Sequence, residues 1–147
     1  MHVKGKHYRT VWMEGSSVFM IEQNLLPFEF KIYEAKNWKD CCFAIKSMIT
    51  RGAGAIGATA GFAMAQAYLE ATTTKNQGII FIAKKEIEAT RPTARNLFYA
   101  VDRVFKAGQI SPENAIAEAQ KMADENIEEA KLIGKYGNDL ISEGFRI

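Results

Sequence analysis

The chain has 147 residues, 48% of them apolar, which is enough for one domain with a real core. A net charge of +2 gives no case for nucleic acid as a partner. The two cysteines, Cys41 and Cys42, are adjacent and have no metal-ligand spacing around them, so the chain reads as reduced and cytosolic.

The opening residues carry no apolar signal segment, and the expected location is cytoplasmic. "RTVWMEG" and "SSVFMIEQ" are rich in β-formers, with Glu14-Gly15-Ser16 between them as a hairpin turn. Pro27 marks a bend, and "EFKIYEA" then alternates, with Phe30 and Ile32 set against Lys31 and Tyr33. These segments predict a small antiparallel sheet over residues 1–36.

From Asn37 the period becomes helical. Asn37 is placed to cap a helix through Trp38, Cys42, Ile45 and Ile49. A glycine-rich turn follows, then a helix of small residues to about Ala71. Its apolar stretch, Gly52–Leu69, is interrupted by Thr59 and Gln66, which fits a closely packed helix better than a membrane span. "TTTKNQG" reads as a loop. "IIFIAKKEIEAT" fits a short buried strand or a helix, and the spacing of Phe81, Lys85 and Glu88 favours the helix. Pro92 is expected to open a further helix that ends at Gly108. Ser111-Pro112-Glu113 is a helix start, and the acidic helix behind it is expected to run to about Ser142. "FRI", residues 145–147, reads as the start of a strand. The class is α+β: a small N-terminal sheet followed by helices over 37–143.

Two arginines stand beside helix starts. Arg51 precedes Gly52-Ala53-Gly54, and Arg91 precedes Pro92-Thr93. Free N–H groups at a helix start, with an arginine fork beside them, suit a phosphate or carboxylate. "GAGAIG" is neither a P-loop nor a dinucleotide fingerprint. His2 and His7 read as surface residues, and Cys41 and Cys42 as buried and inert. The acidic run Glu113–Glu129 reads as a solvated face, and Phe98, Tyr99 and Phe105 read as core. The residues alone offer one anion site, with no nucleophile–base pair and no metal cluster.

"SMITRGAGAIGATAGFAMA" resembles the "RGAPAIG" segment of the 5-methylthioribose-1-phosphate isomerases, and "TRPTARNLFYAVDRV" resembles their "RPTAxNLxWAxxR" segment. The start, "TVWMEGSSVFMIEQNLLPFEFKIYEA", and the end, "IGKYGNDLISEGFRI", are similar to the same family in the same order. The family is shared with ribose-1,5-bisphosphate isomerase and the regulatory α, β and δ subunits of initiation factor 2B. The resemblance implies an aldose–ketose isomerase of methionine salvage with a phosphorylated pentose substrate. It also implies a homodimer, no metal or organic cofactor, and no nucleic-acid or membrane partner.

By the same resemblance, substrate-binding residues fall on Arg51, Gly52, Ala53 and Arg91. A Rossmann-like C-terminal domain, carrying the family's catalytic cysteine and aspartate, would follow "FRI", so this chain contains no catalytic residue and is expected to be inactive alone. That domain is then either missing or separate. Gly54 departs from the motif's proline. Relatives acting on ribose 1,5-bisphosphate often have glycine there, which leaves the choice of sugar open. A non-catalytic regulatory module and a plain helical interaction domain are the rival readings.

Overall fold

The computed structural model describes residues 2–144. The strand expected at 145–147 lies outside them. The chain begins with a two-stranded hairpin, β1 (His2–Val3) and β2 (Lys6–His7), which the sequence does not announce. A three-stranded antiparallel sheet follows: β3 (Val11–Glu14), β4 (Ser17–Ile21) and β5 (Ile32–Ala35), in that order. Glu14 pairs with Ser17 across the expected turn, and Val18 pairs with Ala35. The sheet buries Val11, Val18, Met20, Ile21 and Ala35 on the helices.

Five helices complete the fold: α1 (Trp38–Lys46), α2 (Ala53–Thr74), α3 (Gly78–Glu88), α4 (Arg95–Gly108) and α5 (Pro112–Asn138). The Asn37 side chain caps α1 by accepting from the N–H groups of Lys39 and Asp40, and Ser111 caps α5 by accepting from Asn114. At the centre lies α2. Each residue from Ile56 to Tyr68 is buried, because α2 packs on α1, α3, α4, α5 and the sheet together. Small side chains let the other helices approach it closely. Gln66 ties it to the sheet, donating from Nε2 to the carbonyls of Ser16 (2.8 Å) and Ala35 (3.0 Å). Among the described residues, no helix is long and apolar enough to cross a membrane.

Several boundaries differ from the sequence reading. α1 stops at Lys46, so Ile49 is outside it; Met48 has φ +61° and turns the chain away. Thr72–Thr74 continue α2 instead of forming a loop. Their hydroxyls bond the carbonyls of Tyr68, Leu69 and Glu70, one turn back, and the helix ends only at left-handed Lys75. Pro92 lies in a turn closed by Ala94 N–H to the Arg91 carbonyl, and α4 starts at Arg95. α5 ends at Asn138, four residues before the expected point. Tyr99 is exposed, since the buried stripe of α4 is Leu97, Ala100, Val101, Val104 and Gly108. The acidic face of α5 is not simply solvated: Glu118 and Glu125 bond Arg103 of α4.

Candidate anion site

The segment between α1 and α2 builds the site. After Met48 reverses the chain, the carbonyl of Ile49 accepts from the N–H of Gln23 at 2.9 Å, so the linker runs beside the end of the sheet. The Asn24 amide donates to the carbonyl of Ser47 at 3.0 Å and fixes the other side. Arg51 is held by two of its nitrogens. Its Nε donates to the Met48 carbonyl (3.2 Å) and its Nη2 to the Asn24 side-chain oxygen (2.6 Å). Gly52 then takes φ +86°, which strains any residue with a side chain, and α2 begins at Ala53.

This helix start differs from those of α1 and α5 and is like those of α3 and α4. No side chain caps it and no acidic residue lies in its first turn. Among the described residues, no acidic side chain lines the cleft at this end of the 22-residue helix, which presents its orphan N–H groups and positive dipole end there. Arg51, Gly52, Ala53 and Gly54 line this cleft, of about 430 Å³. Gln23 on the sheet side and Asn126 on α5 line it too, over an apolar wall that includes Ala58, Ala123 and Ile127.

Arg91 reaches the same turn through Met48. Its Nη1 lies 2.9 Å from the sulfur of Met48, whose carbonyl holds Arg51. The two arginines singled out in the sequence are thus tied to one residue, although 40 positions separate them in the chain. Arg91 is not among the residues lining the cleft with Arg51. Met48, Gln23, Asn24 and Asn126 are among the site-lining or site-holding residues that sequence reasoning missed. The one advance signal was a polar Asn126 amid the apolar spacing of a long helix.

The cysteines lie elsewhere. Cys41 is fully buried and its thiol donates to Gln66 Oε1 at 3.4 Å. Burial pushes Cys41 well above the ordinary thiol value and raises Cys42 to about 12, with the Glu86 carboxylate adding to the second shift. Thiols held this way are not nucleophiles at neutral pH.

Residues 49–147 match the initiation factor 2 subunit family. The chain belongs to that family. Methylthioribose-1-phosphate isomerase of Acetivibrio thermocellus is 41% identical over 139 residues, covering 87% of this chain and 41% of that protein. The enzyme of the same name from Methylorubrum extorquens is 37% identical over 150 residues, covering 97% and 40%. Among solved structures, the 5-methylthioribose 1-phosphate isomerase of Pyrococcus horikoshii superposes with a TM-score of 0.82 at 38% identity, over 95% of this chain and 42% of that one. The translation initiation factor eIF-2B subunit delta from A. fulgidus superposes at 0.76 with 28% identity, over 94% and 43%. The family thus includes proteins named as isomerases and as initiation-factor subunits on this one α+β fold. This chain spans about two-fifths of the length of these relatives.

Proposed function

We propose that this chain is the substrate-holding part of an aldose–ketose isomerase that converts methylthioribose 1-phosphate to methylthioribulose 1-phosphate. The observation that carries the reading is the uncapped N-terminus of α2 with Arg51 ahead of it and Arg91 tied to the same turn through Met48. Arg51, Gly52 and Ala53 hold the phosphate through one guanidinium and the first N–H groups of α2. Arg91 supports the phosphate or a neighbouring oxygen.

Isomerisation of a sugar phosphorylated at C1 needs a group to protonate the ring oxygen and one to take the proton from C2. Neither Cys41 nor Cys42 is placed or ionised to do so. We assign the acid/base groups to a second, Rossmann-like domain of the whole protein, and to these 147 residues binding without turnover. The work of this chain is orientation: a phosphate fixed at the helix start positions the sugar against those groups.

The apolar wall of the cleft supports the thioether sugar over a bisphosphate. Among the described residues lining the cleft, Arg51 is the one cation, while Ala58, Ala123 and Ile127 offer a surface for a methylthio group. Gly54, in place of the motif's proline, favours ribose 1,5-bisphosphate as the second reading. A non-catalytic role, suggested by the likeness to the eIF-2B subunit, predicts no sugar-phosphate binding.

The test is a titration of the isotope-labelled chain, followed by NMR, with methylthioribose 1-phosphate, ribose 1,5-bisphosphate and inorganic phosphate. The expected result is saturable shifts at Gly52–Ala55, tightest for methylthioribose 1-phosphate. Arg51→Ala is expected to weaken binding about tenfold or more, the worth of a charge-assisted hydrogen bond. An absence of saturable shifts with all three ligands sinks the proposal.

A further inference from the structure

One packing contact between α2 and α5 in the cleft is made by a polar side chain. Asn126, in the middle of α5, lies flat on Gly54 in the first turn of α2. A Cβ at position 54 would come within 2.3 Å of both the amide nitrogen and the amide oxygen of Asn126. The carboxamide therefore occupies the volume that any other residue at 54 would fill.

Both members break a local rule at the same point. Asparagine is a poor helix-interior residue and glycine is a poor first-turn residue compared with alanine. Such breaches gather where a chain is built for something other than stability. The Asn126 side chain makes no hydrogen bond to protein among the described residues and is only half-buried, so its amide faces the water of the cleft and is free to bond a ligand there. It lines the cleft that holds Arg51 and also the neighbouring cleft of about 260 Å³ beside Arg103, and so stands at the divide between them.

A free carboxamide offers one acceptor and two donors without charge. Its two donors could serve a phosphate, but its acceptor could not, whereas a hydroxyl, which both donates and accepts, can use both ends of the amide. We infer that the Asn126 carboxamide reads a hydroxyl of the bound sugar, and that Gly54 supplies the room it needs. Asn126 is then a specificity residue: Arg51 and the helix start take the phosphate, and Asn126 distinguishes a sugar from a bare anion. The inference rests on the sugar-phosphate reading of the cleft.

The experiment titrates wild type, Asn126→Ala and Gly54→Ala with methylthioribose 1-phosphate and with inorganic phosphate, by NMR. Thermal melts check that each variant is folded. In wild type the Asn126 side-chain amide signal is expected to move with the sugar phosphate and not with phosphate. Both variants should bind the sugar phosphate about three- to tenfold more weakly, the worth of one neutral hydrogen bond, and Asn126→Ala should leave phosphate affinity unchanged. Gly54→Ala acts by driving the carboxamide out of place, so it tests the pair without touching Asn126. Unchanged sugar-phosphate affinity in a folded Asn126→Ala overturns this inference and leaves the substrate reading standing. An equal loss for both ligands in Asn126→Ala also overturns it, since Asn126 would then serve the anion or the fold. Failure of wild type to bind the sugar phosphate overturns both.

Discussion

The Nη1 of Arg91 lies 2.9 Å from the sulfur of Met48, and the carbonyl of the same methionine accepts from Arg51. Met48 also has φ +61°, an unfavourable conformation for a residue with a side chain. One residue in the left-handed region therefore contacts both arginines, alongside Asn24, which accepts from Arg51. Met48→Leu keeps the bulk and removes the sulfur. The expected outcome is a folded protein in which Arg91 is loose, with sugar-phosphate affinity lowered about two- to fivefold, as for one weak hydrogen bond. The Arg51 contact, made through the backbone, should persist. Comparing Arg91→Ala with the double variant Met48→Leu/Arg91→Ala checks this: the two should bind within about twofold of each other if the sulfur acts through Arg91.

The cysteines give a second prediction. Cys41 is inaccessible, and burial carries the Cys42 thiol to about 12. At pH 8 both are protonated in the folded chain, so neither should react with a disulfide reagent within minutes. In denaturant both should react at once, since an unfolded thiol returns to its ordinary value of 9.0. Rapid labelling of native protein at pH 8 contradicts the burial of this pair.

How far the sequence carries can be judged residue by residue. Asn37 and Ser111-Pro112 identified two helix starts because a cap bonds N–H groups within three residues of itself. Arg51 and Arg91 stood out for the same reason, each lying next to turn-forming residues. The threonine run misled because a hydroxyl can bond either a loop or the helix carbonyl one turn back, and composition does not say which. Pro92 misled because proline begins turns as readily as helices. The Asn126–Gly54 contact was beyond reach, since it depends on how α5 is rotated against α2, 72 residues away in the chain. Met48 was hidden likewise: its role comes from a backbone reversal and from a partner 43 residues on.

Packing between α2 and α4 supplies a third prediction. Gly108 lies against the ring of Tyr68, and a Cβ there would fall 2.2 Å from Cε2. The ring cannot swing aside without loss, because its hydroxyl donates to the Phe105 carbonyl at 2.7 Å. Gly108→Ala should therefore destabilise by about 1–3 kcal/mol through overpacking, lowering the melting temperature by several degrees. In a Tyr68→Ala background the same change should cost much less, because the obstacle is gone. Equal costs in the two backgrounds count against the contact.

The last prediction concerns acid. Arg103 on α4 donates from Nε to Glu118 at 2.7 Å and from Nη1 to Glu125 at 2.8 Å, and its Nη1 also reaches the hydroxyl of Tyr99. The hydrogen bond from Arg103 holds the Glu125 carboxyl below its ordinary value of 4.5, with the nearby charges of Arg103 and Lys121 adding to it. The unfolded chain lacks that partner and binds the proton more readily. The stabilisation from this pair is therefore complete above the ordinary carboxylate value and is lost as pH falls through the lowered, folded one. Glu125 is two-fifths exposed, so salt and water screen the pair and the effect should shrink at high ionic strength. Arg103→Met keeps an apolar stem against α5 and removes the partner. Its urea-unfolding stability should differ most from wild type near neutral pH and converge with it as the solution is made more acid. A difference that stays constant from neutral to strongly acidic pH would mean that packing of the arginine stem, and not its ion pairs, joins α4 to α5.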